Sequence, residues 1–595
     1  MDFFDLLSMI GGLALFLYGM NVLGDGLSRL SGSRMERLLE KLTSKKIMAV
    51  VLGAAVTAVI QSSSATTVMV VGFVNSGIMK LSQSIGIIMG ANIGTTITSW
   101  ILSLAGIESG NFFVQLFKPS SFSPVIAIVG VAFMLFSKNN KRREIGTIFA
   151  GFAILMFGME TMSGAVKGLA EVEGFTSILT KFSNPILGVL AGALLTAVIQ
   201  SSSASVGILQ ALCISGVITY GSAIPIIMGQ NIGTCITAVM SGIGAEKNAK
   251  RASLIHLYFN LIGTVLFMAV FYSVNVFVNF AFLNDFASPV GIAVIHSLFN
   301  IGATIVLYPF SNVIEKLAVL SVRDKDGQDK DDAEKNSELA RLDDRFLGNP
   351  SFAVEVCSSV AQNMAGRVLE SVRLSGMLVR GYDKKIYGDI ISIEEEIDRY
   401  EDALGTYLVK LSAKNLSAQD STTLSIILHT LSDFERISDH AADIAHAVKK
   451  MKSKDLHFTK KMVSELGIFS DSVYDIVDMS VRIFESGDTQ AAKDVEPLGQ
   501  VIDNINKEVK KRQIKRLRKG KNTIESGFVM TDISTAYERI ADHCSNIAVC
   551  VMQVNENGFE THEYLGKMKT GDNPEYARTY NIYLDKYSLD KYAKN

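Results

Sequence analysis

Gln61-Ser62-Ser63-Ser64-Ala65 recurs unchanged as Gln200-Ser201-Ser202-Ser203-Ala204, 139 residues further along the chain. The same offset carries Gly90-Ala91-Asn92-Ile93-Gly94-Thr95 onto Gly229-Gln230-Asn231-Ile232-Gly233-Thr234, and Gly12 and Gly19 onto Gly151 and Gly158. One insertion between these landmarks would break the shared offset, so a whole module, from Gly12 to Thr95 at least, is duplicated. Each copy embeds Gln, Ser, Asn and Thr in an apolar, glycine-rich surround. Duplicated, interrupted hydrophobic segments are the sequence mark of a transporter's binding site.

The rest of the chain divides sharply. Residues 1 to about 320 carry long apolar runs, several near the ~20 residues that cross a bilayer. From Arg323 onward Asp, Glu, Lys and Arg are dense. The net charge of -2 sums two unlike halves and so says nothing about nucleic acid; no nucleic-acid partner is expected. Asp2 and Asp5 precede the first apolar run, where a cleavable signal would carry basic residues. The five cysteines follow no metal or disulfide spacing. Neither a phosphate-cradling G-x-x-x-x-G-K-[ST] motif nor a catalytic constellation is evident, which argues against a primary pump and against an enzyme.

Candidate membrane segments are 4–23, 47–78, 84–105, 119–137, 145–162, 186–216, 222–243, 250–276 and 287–310. Basic residues in short loops set orientation. Loop 24–46 holds Arg29, Arg34, Arg37, Lys41, Lys45 and Lys46, while its copy at 163–185 holds only Lys167 and Lys181 beside Glu171 and Glu173. Loop 138–144 holds Lys138, Lys141, Arg142 and Arg143; its copy near 277–286 has Asp285 and no basic residue. The sign reverses in the third pair, where 106–118 is nearly uncharged but 245–251 contains Lys247, Lys250 and Arg251. The copies therefore face opposite ways. All basic loops reach the cytoplasm only if 47–78 enters and leaves on one side. Re-entrant hairpins are expected at 47–78 and 186–216, with tips meeting near the midplane.

A hairpin tip followed by a new helix offers free N–H groups and a positive dipole end to an anion. Serine hydroxyls and the Gln61 and Gln200 amides add donors, and nothing in this core is basic. The same hydroxyl and carbonyl oxygens suit an alkali cation, and the glycines of the Asn-Ile-Gly-Thr motifs are expected to unwind a helix locally. Co-binding of sodium and a small oxyanion fits. The plainer alternative is that Ser, Thr and Gly permit close helix packing and interhelical hydrogen bonds. Repetition in register of two polar motifs favours the site. His256 with Asn260, echoed by His296 with Asn300, is read chiefly as packing and helix–helix hydrogen bonding.

These paired motifs resemble the type II sodium-dependent phosphate cotransporter family over residues 1–320. The resemblance implies sodium-coupled transport of inorganic phosphate by alternating access. It marks Gln61, Ser62, Ser63, Ser64, Thr66, Gln200, Ser201, Ser202, Ser203 and Ser205 as substrate and sodium candidates, with Asn92, Thr95, Asn231 and Thr234 secondary. The copies differ where Thr67 gives way to Val206 and Thr96 to Cys235, so sodium binding is expected to be asymmetric.

Beyond a charged linker at 321–348, helical segments are expected at 350–381, 386–412, 418–452, 457–487, 492–518 and 525–555. Glu435-Arg436-Ile437-Ser438-Asp439-His440 is echoed by Glu538-Arg539-Ile540-Ala541-Asp542-His543, each Glu and Asp on one helix face. The bland reading is a solvated stripe paired with Arg436 and Arg539. The pattern resembles PhoU, a pair of three-helix bundles, over 350–556. That resemblance implies metal ligation by Glu435, Asp439, Asp443, Glu538 and Asp542, with Asp398 and Asp503 as partners; Asn546 replaces the counterpart of Asp443. Hard carboxylates suit Mg, Mn or Fe. The tail at 557–595 is polar and Tyr-rich, a short peripheral segment or disorder.

The expected fold is all-α: a polytopic membrane domain at 1–320, with inverted repeats at 4–137 and 145–276 and a final span at 287–310, followed by a cytoplasmic PhoU-like bundle. The expected setting is the plasma membrane, the expected partners are phosphate, sodium and lipid, and a homodimer is left open. Three alternatives share these features: a transporter of another oxyanion, a phosphate exporter, and a membrane-anchored phosphate sensor that does not transport.

Overall fold

The computed structural model describes residues 3–31, 46–106, 119–167, 181–323, 338–520, 522–556 and 574–589, and its regular elements are all helical. Arg34, Arg37, Lys41, Lys45, loop 107–118, residues 168–180 and 324–337, and tail residues 557–573 and 590–595 lie outside the described residues. Two compact units divide the chain, residues 1–352 and 353–595.

The first unit runs α1 (Phe3–Ser31), α2 (Lys46–Ile60), α3 (Ser63–Asn75), α4 (Leu81–Ser103), α5 (Pro119–Phe136), α6 (Asn140–Lys167), α7 (Pro185–Ile199), α8 (Ser202–Ile214), α9 (Tyr220–Ser241), α10 (Lys247–Val278), α11 (Pro289–Leu307) and α12 (Ser311–Ser321). Six of its helical stretches are long and apolar enough to cross a membrane. Large apolar side chains remain exposed on the outer helices, Phe136 and Phe277 among them. That is how a surface solvated by lipid is built. Helices α2, α3, α7 and α8, of 13 to 15 residues, are too short to span alone and pair as the two hairpins.

The hairpins open at opposite ends of the unit. Helix α4 starts beside the open end of the α2/α3 hairpin and runs to Gly106, which abuts Pro289. Helix α9 runs the other way. It starts at Tyr220, whose N–H donates to the Asp285 carbonyl, and ends at Ser241, two turns of chain before Glu246. The Glu246 N–H donates to Asn75 Oδ1 at the open end of the α2/α3 hairpin. Helices α1 and α6 cross so that Gly12 meets Gly158 and Gly19 meets Gly151, each glycine facing its partner's copy as a twofold between repeats requires.

Helices α4 and α9 are continuous through Asn92-Ile93-Gly94-Thr95 and Asn231-Ile232-Gly233-Thr234, so the expected unwinding does not occur. Those glycines serve close approach instead: a Cβ on Gly94 would sit 2.5 Å from the Ala54 carbonyl oxygen and one on Gly233 2.4 Å from that of Ala193, and one helical turn earlier the approach is closer still. A Cβ on Gly90 would sit 2.0 Å from the Val50 carbonyl oxygen, and one on Gly229 would sit 2.0 Å from that of Val189. The hairpin helix in each repeat thus lies backbone to backbone on the helix that follows it, a small-residue contact of the kind that membranes favour.

The second unit holds α13 (Pro350–Arg380), which begins at the end of the first unit, then α14 (Lys384–Ser412), α15 (Ala418–Ser453), α16 (Lys460–Ser486), α17 (Val495–Arg518) and α18 (Ile524–Glu556). Thr459 caps α16 and Ser417 caps α15 through their side-chain oxygens. In the tail, α19 (Pro574–Lys586) packs on α17, with Asn504 Nδ2 donating to Tyr580 Oη at 2.8 Å.

Replacing Gly90 or Gly229 by Ala should lower the melting temperature of the detergent-solubilised protein, because overpacking of this kind costs about 1–3 kcal/mol. Gly11→Ala, which meets no neighbouring atom, should leave it unchanged or raise it. Thermal unfolding of the three variants checks the contrast.

Candidate substrate site and carboxylate faces

The two repeated stretches build one structure twice. Gln61 and Gln200 both adopt φ +59°, a left-handed conformation rare outside glycine, and this breaks each hairpin. The Gln61 N–H still donates to the Thr57 carbonyl at 2.8 Å, and the Gln200 N–H to that of Thr196 at 2.7 Å. Ser62 then caps α3 by accepting from the Ala65 N–H at 3.1 Å, and Ser201 caps α8 by accepting from the Ala204 N–H at 3.2 Å. The interruption is thus stitched by its own side chains, as buried backbone demands.

The tips meet. Ser63 Oγ lies 3.4 Å from Ser202 Oγ across the repeat boundary. Gln61 through Ala65 and Gln200 through Ser203 line a cavity of about 380 Å³ with Met20, Asn21, Gly24 and Asp25 of α1. The N-termini of α3 and α8 therefore converge on one space. Among the described residues no Lys or Arg lines it, and Asp25 is its one acidic side chain. Asn21 and Asp25 escaped the sequence reading because they belong to neither repeated motif, although their i, i+4 spacing puts them on one helix face.

The other polar candidates stand behind this lining. Asn92 Nδ2 donates to Asn260 Oδ1 at 2.9 Å, and Asn231 Nδ2 to Asn300 Oδ1 at 3.2 Å. Thr95 and Thr234 bond back to the carbonyls of Ala91 and Gln230. Of the His256/Asn260 and His296/Asn300 echo, the two asparagines and His296 make helix–helix hydrogen bonds, His296 Nε2 lying 3.4 Å from Asn231 Oδ1, whereas neither ring nitrogen of the buried His256 has a partner among the described residues.

The copies also diverge. In the first, Thr57 Oγ1 donates to Thr66 Oγ1 at 3.0 Å, and Thr98 Oγ1 donates to Gln61 Oε1 at 2.8 Å. In the second, Thr196 Oγ1 and the shorter Ser205's Oγ are buried with no hydrogen-bond partner among the described residues, as is Gln230 Oε1. Where the first repeat pairs Thr57 with Thr66, the second leaves Thr196, Ser205 and Gln230 oxygens unbonded among the described residues, and a buried polar atom without a partner calls for an explanation.

In the second unit, Glu394 and Asp398 of α14 and Asp439 of α15 bring carboxylate oxygens within 4.8 Å of one another. Glu394 was not anticipated; it precedes Asp398 by one helical turn. Burial, then Asp439, pushes the Glu435 carboxyl up to about 7, and burial also raises Glu394 and Asp439. Arg436 lies 3.4 Å from Glu435 and 3.6 Å from Asp439, so the bland pairing is present too. Asp443 turns to His440 Nδ1 at 3.2 Å. The second face is organised differently. Lys510 lies 3.6 Å from Glu538, to which Asn506 also donates, Arg539 lies 3.7 Å from Asp542, and Asp503 accepts from Gln500 at 3.5 Å. The two faces adjoin where His543 Nδ1 meets Asp433 Oδ1 at 2.8 Å and the His440 and His543 rings lie 5.8 Å apart.

An inverted repeat of broken-helix hairpins around a shared polar cavity defines the class as a polytopic helical membrane transporter fold. Residues 15–164 and 154–285 match the Na+/Pi-cotransporter family, and residues 361–448 and 467–551 match the PhoU domain. The chain belongs to the Na+/Pi-cotransporter family and carries a PhoU domain pair. It is 23% identical over 570 residues to the "Putative inorganic phosphate export protein YjbB" of Salmonella typhimurium, covering 94% of this chain and 99% of the relative. It is 30% identical over 318 residues to the "Uncharacterized protein YqeW" of Bacillus subtilis, covering 53% of this chain and 98% of the relative. With the human "Sodium-dependent phosphate transport protein 2B" it shares 34% identity over 123 residues, 20% of this chain and 17% of that protein. The crystal structure of PhoU from Pseudomonas aeruginosa aligns with TM-score 0.33 at 20% identity, over 34% of this chain and 97% of that one.

Glycine adopts φ near +59° without cost, whereas a side chain there costs about 1–2 kcal/mol. Gln200→Gly should therefore retain thermal stability, and the β-branched Gln200→Val should lose it. Melting temperatures of the two variants decide this.

Proposed function

We propose that the chain is a sodium-coupled secondary transporter of inorganic phosphate, working by alternating access around the cavity between the QSSS tips. One observation carries the reading: two capped helix N-termini, from oppositely directed hairpins, converge on one hydroxyl-rich space with Ser63 and Ser202 3.4 Å apart. Helix N-termini attract anions through free N–H groups and a partial positive charge. With Asp25 in the wall and no basic side chain among the described residues, a phosphate anion needs an accompanying cation to offset repulsion. The unbonded oxygens of Thr196, Ser205 and Gln230 offer hard ligands for sodium in the second repeat. Asn92, Thr95, Thr66, Asn231 and Thr234 support the lining rather than form it.

The end where Lys46, Lys247, Lys250 and Arg251 gather is read as cytoplasmic by the positive-inside rule, and the PhoU pair as a cytoplasmic regulator. Within that pair, Glu394, Asp398 and Asp439, with Glu435 beside them, form the better metal site for a hard divalent cation or iron. A second reading, net phosphate export, is favoured by one fact: the relative matched over its whole length, PhoU region included, is named for export.

Labelled phosphate flux in proteoliposomes under imposed sodium gradients of either sign tests coupling and direction together. Accumulation that follows the sodium gradient is expected, and flux indifferent to sodium would sink the coupling. Ser63→Ala and Ser202→Ala should each weaken phosphate transport by about tenfold, the scale of one lost hydrogen bond to a charged group. For the metal, Mn2+ binding to the full chain should weaken about tenfold or more in Asp439→Asn and little in Asp542→Asn, as loss of a direct ligand does.

A further inference from the structure

The stretch read as a linker does not end as a tether. Residues Leu339–Arg341 and Asp344–Gly348 form two short 3-10 helices that fold back onto the first unit. Their contacts are specific. Phe346 is fully buried, and its ring fills the notch left by Gly72 on α3, where a Cβ would sit 2.7 Å from the ring. It packs tilted against Phe73 and edge-on against Phe352, at centroid distances of 5.4 and 5.0 Å. Asp343 accepts from Asn75 Nδ2 at 2.8 Å and pairs with Arg345 at 2.6 Å, while Arg345 Nε donates to the Ser241 carbonyl at 2.8 Å. Asn75 is thereby shared between this strap and the Glu246 N–H. The strap then delivers Gly348 and Asn349 to the wall of the QSSS cavity.

The receiving surface is built on one hairpin only. One offset later, Gly72 becomes Ala211 and Asn75 becomes Ile214, which removes both the notch and the polar clasp. The duplicated module has thus diverged at the two positions that hold the strap. Asn349 is followed directly by Pro350, the first residue of α13, which continues into the PhoU pair. A residue before proline is held extended, so there is no slack between the cavity wall and that helix. The Asp343–Arg345 pair is nearly buried, and removing one partner would strand a charge, so the strap is either docked as a unit or released.

We propose that residues 338–349 are the inner gate of the cavity, with Asn349 a positioning residue that closes the path of phosphate between the hairpin tips and the PhoU end of the chain. Docked, the strap seals this mouth; displacement of the first turn of α13 withdraws Asn349 and opens it. The PhoU pair would then control flux by pulling on a gate rather than by acting on the QSSS site itself. This rests on the transport reading above.

The test uses the full chain in liposomes. A cysteine placed in the cavity wall by Met20→Cys is labelled with a membrane-impermeant maleimide, the unmutated protein with its five native cysteines giving the background. Adding Phe346→Ala, or Gly72→Val to evict the ring from the other side, should each raise the labelling rate about tenfold or more, as expected for loss of a fully buried ring. Conversely, a bifunctional thiol reagent bridging Asn75→Cys and Asp343→Cys should cut labelled phosphate flux by about tenfold and release it on reduction, the recovery showing that the protein stayed folded. Labelling within twofold of the parent in both strap variants, or bridged protein that transports at the parent rate, overturns the gate. Absence of flux in every protein, the parent included, overturns the transport reading instead, while the labelling still reports on the gate.

Discussion

A peptide chain that stops being helical inside a membrane must satisfy its own backbone polar groups, since lipid offers none. The rest of the first unit follows from how this chain meets that constraint. Gln61 and Gln200 turn left-handed, and the serine after each caps the next helix, so the break costs few unmade hydrogen bonds. The same caps leave the first N–H groups of two helices pointing at a common space. What stabilises the interruption is also what aims two helix N-termini into one cavity.

The hairpins can meet only because their backs lie close to α4 and α9. Gly90 and Gly229 remove the side chains that would hold those helices apart, and the match of their contacts across the offset shows both repeats solving one packing problem. Symmetry governs the scaffold but not the chemistry. In the first repeat the Thr57–Thr66 bond closes a hydroxyl pair that Thr196 and Ser205 leave open in the second, and Asp25 enters from α1 alone. An inverted repeat supplies two similar mechanical halves. Departures from it are where the two halves of the cavity differ in hydrogen bonding and where a strap is docked on one side only.

Most helices were legible because apolar runs and the 3.6-residue period survive in any context, and the QSSS tips because they repeat in register. The role of the Asn-Ile-Gly-Thr glycines was not. Glycine permits both unwinding and close approach, and only the neighbouring Ala54 and Ala193 carbonyls show which applies at Gly94 and Gly233. Glu394 was missed for a related reason: it gains meaning from Asp439 on another helix, while the repeated Glu538 and Asp542 are drawn to Lys510 and Arg539. Repetition reports shared ancestry of a face, not shared occupancy.

By itself the sequence determined the duplication, the opposed charge of the loops, the two hairpin breaks and the helical second half, since composition, period and offset are properties of the chain alone. Only the tertiary structure decided that Ser63 meets Ser202, that Asn92 and Asn231 serve neighbouring helices, and that Asn21, Asp25 and Asn349 share the cavity. Those facts depend on which residues distant in the chain become neighbours, and no local pattern encodes a distance between segments that fold past one another.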